Sequence, residues 1–370
     1  MEDTSIRKSS PRLSTRFFAL LRFSLGIDDA FDYSFSPDEW CAVFRMAQRQ
    51  AVAGVLFVGV QRITGDNAPP KDLMMQWLST AMRIRKINEK AYRASVEAQR
   101  QFETMGFRCC VIKGQGNAVD YPEPYIRMPG DVDVWLDGTR GDIVAASRKL
   151  DGTAQMSYQH VVVSPFCRME LEVHFFPSFL MNAVNNRRMQ RYFRDKAASC
   201  FDNRIVLPDG HGEIAVPTPA FNAVFQLTHV FRHYIVQGIG MRQLNDYYYV
   251  VRRLNDDERR ETMQQVRRIG MYTFLCAVMY VMRRVFHMPD EMLLAEPDSK
   301  RGIALLREIM SGGNFGWFNR GTWLRKNNLL QRQWLKFLRD RDFLLAYPAE
   351  VIAEPFFRVY HFLLRHRNDD

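Results

Sequence analysis

Two aspartates, Asp131 and Asp133, are the residues whose types and spacing first suggest chemistry. They lie in the segment PGDVDVWLD, which reads as a strand with apolar Val132 and Val134 between and after them. Because side chains i and i+2 of a strand share a face, the two carboxylates should point the same way. Carboxylate pairs often hold Mg²⁺ together with substrate phosphates, so this spacing suggests a divalent-cation site. The same pair can also be a loop edge that water and backbone amides satisfy.

Cationic and glycine residues lie before this pair in the sequence. A short apolar strand over residues 109–112 leads into the turn Lys113-Gly114-Gln115-Gly116, and Arg127 lies in a proline-containing loop. If the turn and the loop meet at the strand ends, they supply the cations and free amides that phosphate groups need. Lys113 could instead end a helix or pair with Asp120.

A second group of polar residues occurs in the segment RMELEVHF. Strands are expected over 158–163 and 168–174, joined by a turn at Ser164-Pro165. Alternation puts Glu170, Glu172 and His174 on one face. Such a strand is either a solvent-facing edge or an active-site strand, and the residues alone favour the edge.

Helical patterns surround this strand-rich region. Ser36-Pro37-Asp38-Glu39 is a typical helix start, and one long helix is expected over 71–105. We expect further helices over 13–25, 52–63, 139–150, 182–198 and several segments after 218, including 323–345, and a hairpin over 204–216. The sequence therefore predicts an α+β protein with a mixed sheet core, divided into helical 1–100, a core over 101–217 and helical 218–370.

The composition of the chain gives predictions about its binding partners and its cellular location. The 370 residues carry a net charge of +10 with a pI near 9.4, which favours polyanionic partners. The expected helix over 323–345 also favours a polyanionic partner, because it carries several basic residues: Arg325, Lys326, Arg332, Lys336 and Arg339. The six cysteines show no metal-ligand spacing and suit reduced thiols in the cytoplasm. Residues 271–282, the longest apolar run, are too few to cross a bilayer, so no stable membrane insertion is expected.

Three segments in order resemble one family: VIKGQGNAVDYPEPYIRMPGDVDVWL, LEVHF and HVFRHYIVQGIGMRQLNDYYYV. Together they span roughly 101–250 and resemble the nucleotidyltransferase superfamily with a DNA polymerase β-like core. Within it, the chain is most similar to uncharacterised bacterial nucleotidyltransferases related to abortive-infection-type toxins. The turn departs from the wider superfamily, because Gly114-Gln115-Gly116 stands where Gly-Ser or Gly-Gly is usual.

The resemblance assigns roles to particular residues. Asp131 and Asp133 match the metal-binding pair, and Glu172 matches the third acid on the neighbouring strand. Lys113, Gly114 and Gln115 match the turn that approaches the nucleotide phosphates. Residues of the later helices resemble positions that line the nucleotide cleft: His229, His233, Arg242 and Asp246. The residues alone also allow a packed or exposed histidine pair and an ordinary Arg242–Asp246 ion pair on one helix.

The implied activity is transfer of a nucleoside monophosphate from an NTP to an acceptor hydroxyl, with release of pyrophosphate. Two Mg²⁺ or Mn²⁺ ions on the three acids would support it, and Glu172 could also accept the acceptor's proton. The acceptor stays open among RNA, protein and small molecules. A glycosyltransferase that uses a nucleotide sugar and an inactive nucleotide- or RNA-binding scaffold are the alternatives. The first would need a parallel nucleotide-binding region before the Asp-x-Asp pair, where the sequence predicts helices.

Overall fold

The first part of the chain is helical in the computed structural model, which describes residues 11–314 and 343–367. Its helices are α1 (Pro11–Ser24), α2 (Pro37–Arg49), α3 (Ala53–Val60) and α4 (Lys71–Thr104). Ser36 and Glu39 form a reciprocal capping box at the start of α2, as the sequence predicts. The helix expected over 323–345, with its basic residues, falls largely outside the described ranges.

A five-stranded mixed sheet follows these helices. The strands are β1 (Arg108–Val111), β2 (Val132–Asp137), β3 (Gln155–Met156), β4 (His160–Phe166) and β5 (Met169–His174), in the spatial order β1-β2-β5-β4-β3. Strands β2 and β5 pair in parallel, whereas the other neighbours are antiparallel. Helix α5 (Gln115–Ala118) and helix α6 (Arg140–Leu150) lie between strands in the chain. The mixed sheet with flanking helices confirms the α+β class.

The two faces of the sheet belong to two different cores. Val134 and Val173 are fully buried on one face, where they pack with residues such as Phe102 of α4 and Ile143 of α6. On the other face, Trp135 joins a larger core that contains helices from both ends of the chain. The polar residues of β2 and β5 share this second face, because they alternate with the buried valines.

The rest of the described chain is mostly helical. A hairpin of β6 (Arg204–Val206) and β7 (Glu213–Ala215) follows α7 (Ala183–Asp202), close to where the sequence predicts it. The later helices are α8 (Pro219–Val236), α9 (Met241–Arg252), α10 (Asp256–Arg268), α11 (Tyr272–Phe286), α12 (Ser299–Gly312) and α13 (Pro348–Arg367). None of the helices within the described ranges is long and apolar enough to cross a bilayer.

Two expectations about the β4–β5 region are wrong. The strand β5 is not an edge, because it lies between β2 and β4. The turn is not at Ser164-Pro165, which belongs to β4. It lies at Cys167 and Arg168, whose positive φ angles of 48° and 64° reverse the chain, and the pairing register shifts between Val163 and Phe166. That irregularity lets the strand continue past its proline, which has no amide hydrogen to pair.

Candidate functional site

Three acids meet on the polar face of the two parallel strands. Asp133 lies in β2 directly opposite Glu172 of β5, and Asp131 immediately precedes β2. One carboxylate oxygen from each of the three residues lies within 4.8 Å of the others. The donor set consists of hard oxygens only, which fits Mg²⁺ or Mn²⁺. Glu170, which alternation puts on the same face, is exposed and is not part of this group.

Lys113 lies among these acids. It follows β1, and its Nζ is 2.6 Å from Asp133 Oδ1. Burial alone would lower the pKa of Lys113, but the charges of Asp133, Asp131 and Glu172 raise it above its usual value. The ammonium is therefore charged and partly neutralises the acids. The alternative partner Asp120 instead pairs with Arg253, at 2.7 Å.

Gly114 makes the sharp turn that brings Lys113 to the acids. Its φ of 56° and ψ of −110° lie outside the regions that residues with a Cβ occupy easily. Gln115, the first residue of α5, is buried, and its side chain donates to Asn88 of α4. Asn88 in turn donates to the carbonyl oxygens of Tyr125 and Arg127, each at 2.8 Å. The turn and the loop before β2 are thus fixed to the same buried amide.

Two histidines border the acids, and sequence reasoning assigned a role to neither of them. His174 Nε2 lies 2.9 Å from Asp133 Oδ1 and 3.3 Å from Glu172 Oε2. His160 of β4 pairs with His174 across the strands, and its Nδ1 lies 3.3 Å from Glu172 Oε2. His174 was visible in the LEVHF segment, but only the strand pairing shows that His160 stands beside it.

The surroundings shift the pKa values of these groups in opposite directions. Burial alone would lower the pKa of His174, but hydrogen bonds with Asp133 and Glu172 raise it above its usual value. Burial and the neighbouring His174 lower the pKa of His160 to about 4. Burial would raise the pKa of Glu172, but its hydrogen bond with His174 and the charge of Lys113 lower it to about 2. Glu172 is therefore ionised at neutral pH, and His160 is neutral.

Helix α8 provides a further cation that sequence reasoning missed. Arg232 donates to Gln159 Oε1, and its guanidinium lies 4.6 Å from the centre of the Phe179 ring. Burial lowers its pKa to about 10, although the charges of Glu172 and Asp133 favour its ionised form. Among the described residues, no carboxylate lies within ion-pair distance of it. The sequence feature that could have indicated Arg232 is its position between His229 and His233 in the segment HVFRHYIV.

The histidines of α8 pack against each other. The rings of His229 and His233 are 4.3 Å apart, and His233 Nδ1 lies 2.8 Å from Gln237 Oε1. Burial lowers the pKa of His229 well below its usual value, aided by the charge of Lys113. Burial and the nearby Arg232 lower the pKa of His233 to about 3. Both rings are therefore neutral at neutral pH.

Arg127 and Asp246 join the loop before β2 to helix α9. The guanidinium donates to both carboxylate oxygens at 2.8 Å, and both side chains are buried. Tyr121 donates a third hydrogen bond to Asp246, also at 2.8 Å. Arg242 donates to the carbonyl oxygen of Met128, at 3.2 Å, close to the start of β2. Arg127, Tyr121, Asp246 and Arg242 therefore all lie near the start of β2. The carboxylate of Asp246 is hydrogen-bonded to two residues of the preceding loop, Tyr121 and Arg127.

The comparisons with known proteins agree with this arrangement. A family model described as "Uncharacterised nucleotidyltransferase" matches residues 36–287, more than half of the chain. The matched region contains the sheet, the three acids, Lys113 and helices α8 and α9. A search of curated proteins found no match. The chain belongs to the uncharacterised nucleotidyltransferase family.

Proposed function

We propose that this chain transfers a nucleoside monophosphate from an NTP to an acceptor hydroxyl and releases pyrophosphate, as an enzyme with a DNA polymerase β-like core. The observation that carries the proposal is the meeting of Asp131, Asp133 and Glu172 on two parallel strands, within 4.8 Å. All strands of the described ranges fall within 101–217, which we propose as the catalytic unit.

The acids and cations have complementary tasks in this proposal. Asp131, Asp133 and Glu172 would hold divalent cations, which would supply positive charge to the triphosphate and to the leaving oxygen. Lys113, which contacts Asp133, and Arg242, which donates to Met128 before β2, would neutralise phosphate oxygens. A carboxylate with a pKa of about 2 accepts a proton poorly at neutral pH. We therefore assign Glu172 to cation binding and not to base catalysis.

The nucleotide-binding residues divide into two groups. We propose that the nucleotide is contacted by Lys113, which lies against Asp133, by the backbone amides at Gly114, and by His229, Arg232 and Arg242 of helices α8 and α9. Gln115, Arg127 and Asp246 are buried and hydrogen-bonded to their own scaffold. We propose that this second group holds the turn and the loop in place, so that their substitution acts through position and stability.

The family match and the fold favour this activity over glycosyl transfer. A glycosyltransferase of the Asp-x-Asp type would need a parallel nucleotide-binding region before the motif. Helices α1 to α4 occupy that part of the chain, and β1, the strand that follows them, pairs antiparallel with β2. A scaffold that binds nucleotide without transfer has the same acids, and the experiment below separates it.

The test is incubation of pure protein with each α-³²P-labelled NTP, Mg²⁺ or Mn²⁺, and cell extract divided into RNA, protein and small-molecule fractions. The Asp131→Asn/Asp133→Asn variant runs beside the wild type, with exposed Asp256→Asn/Asp257→Asn as the matched control. We expect label in one fraction with the wild type and the control only. Label that persists in the Asp131/Asp133 variant, or no label and no metal-dependent NTP binding, overturns the proposal.

A further inference from the structure

A second group of potential ligands lies beside the three acids. His160, Glu172 and His174 each offer one ligand atom, and these atoms lie within 4.8 Å of one another. The two histidines are direct partners across β4 and β5, and their ring centres are 5.1 Å apart. Glu172 belongs to both groups, so a carboxylate-only cluster and a histidine-containing cluster meet at one side chain.

The contacts of His160 favour a bound cation at this position. Its Nδ1 is buried and has no hydrogen-bond partner among the described residues. The same atom lies 3.3 Å from Glu172 Oε2. His174 Nε2 also lies 3.3 Å from that oxygen. Two nitrogens thus converge on one carboxylate oxygen. A cation bound among the three atoms would satisfy the buried nitrogen.

We propose that His160, Glu172 and His174 form a mixed nitrogen and oxygen cation position that shares Glu172 with the Asp131/Asp133 group and takes a first-row transition ion such as Mn²⁺ in preference to Mg²⁺. Imidazole nitrogen suits transition ions, whereas Mg²⁺ is bound mainly by oxygen ligands. Two cations bridged by one carboxylate would stand close together, as in other two-metal sites. The inference rests on the proposed function only for the use of this cation in transfer.

Binding is measured without nucleotide on the full chain. Mn²⁺ is titrated by electron paramagnetic resonance, and electron spin-echo spectroscopy then detects nitrogen coupled to the bound ion. Protein grown with ¹⁵N-histidine provides a control that changes no side chain. We expect ¹⁴N modulation that is replaced by the ¹⁵N pattern in the labelled protein, and weaker Mg²⁺ binding in competition with Mn²⁺.

His160→Gln tests the half-buried histidine, and His211→Gln on the β6–β7 hairpin is the matched control. We expect the nitrogen coupling of His160→Gln to weaken and its Mn²⁺ affinity to fall by at least about tenfold. Loss of a residue that only hydrogen-bonds to a metal ligand already costs about that much, so loss of a ligand should cost no less. Bound Mn²⁺ without nitrogen coupling in wild-type protein, or equal affinity for Mg²⁺, overturns the inference. Nitrogen coupling without nucleotidyl transfer would remove the proposed function and leave this cation position standing.

Discussion

Lys113 is the residue whose charge most directly opposes a bound cation. Its ammonium lies 2.6 Å from Asp133, and the three acids raise its pKa. Replacement by methionine removes a positive charge from the place where a divalent cation must bind. We therefore expect Lys113→Met to bind Mn²⁺ more tightly and to transfer nucleotide more slowly, because the triphosphate loses a partner.

Isothermal titration with Mn²⁺ and single-turnover labelling measure the two effects separately. Lys149→Met, which removes an exposed lysine of α6, is the matched control and should change neither. Unchanged or weaker Mn²⁺ binding in Lys113→Met would show that the lysine does not compete with the cation.

The buried imidazole of His229 predicts a loss of stability in acid. Its pKa in the folded protein is well below the value of about 6.5 expected in the unfolded chain. Between these values only the unfolded chain takes the proton, so the free energy of unfolding falls as the pH drops below about 6.5. One such histidine contributes a slope of up to about 1.4 kcal/mol per pH unit.

Urea unfolding of His229→Gln between pH 7.5 and pH 4.5 checks this expectation. The variant should lose stability less steeply than the wild type, because one depressed titration is absent. His233 and His160 keep a residual slope in both proteins. A variant as steep as the wild type contradicts the prediction, and His211→Gln controls for loss of a histidine elsewhere.

Gly114 predicts a cost that comes from the backbone alone. A Cβ added there would meet nothing closer than the carbonyl oxygen of Asp131, at 3.8 Å, so crowding is not the problem. The φ of 56° with ψ of −110° is the difficulty. We expect Gly114→Ala to lower the free energy of unfolding by about 1–3 kcal/mol. Gly152→Ala, in open space without a positive φ, should change it little. Equal stability of the two variants in urea would contradict this explanation.

At the scale of elements, the alternation of polar and apolar residues predicts which side chains share a face of a strand, but not which strands are neighbours in the sheet. The spacing of Asp131, Asp133 and Glu172 predicted that each strand carries its acids on one face, because side-chain direction is local. The position of β5 inside the sheet depends on pairing between distant segments, so the alternation of its polar residues alone favours an edge strand. His160 and Arg232 were missed for the same reason: each is brought to the acids by a strand or helix whose place is set by the whole fold.

The Arg127–Asp246 pair predicts that the loop before β2 depends on helix α9. Both side chains are less than a tenth exposed, and removal of one partner leaves the other charge buried. We expect Asp246→Asn or Arg127→Met alone to lower the free energy of unfolding by about 3–5 kcal/mol.

A double-mutant cycle separates this pair from general packing. Arg127→Met/Asp246→Asn removes both charges with the same two substitutions, so it should be more stable than the sum of the single losses predicts. Additive losses in urea unfolding would show that the two residues act independently and that the loop is held by other contacts.

At the scale of the whole molecule, α13 contacts the segment before α7 through a buried carboxylate and an aromatic stack. Buried Glu350 of α13 accepts hydrogen bonds from the amides of Met181 and Asn182, at 2.7 and 3.1 Å, just before α7. Two turns along α13, Phe357 stacks on Phe179, whose ring also contacts Arg232. Helix α13 therefore packs on Phe179, the ring that also contacts Arg232.

Glu350→Ala leaves those amides without their acceptor, so we expect faster hydrogen exchange at Met181 and Asn182 and throughout the first turns of α13. The free energy of unfolding should fall by about 1–3 kcal/mol, the cost of unsatisfied buried donors. Glu354→Ala, one turn away on α13, removes a carboxylate that pairs with Arg358 of the same helix and is the matched control. Exchange that rises equally in both variants would mean that α13 is held by its apolar contacts and not by Glu350. Exchange that rises only in Glu350→Ala would show that this carboxylate holds the start of α13 against the segment before α7.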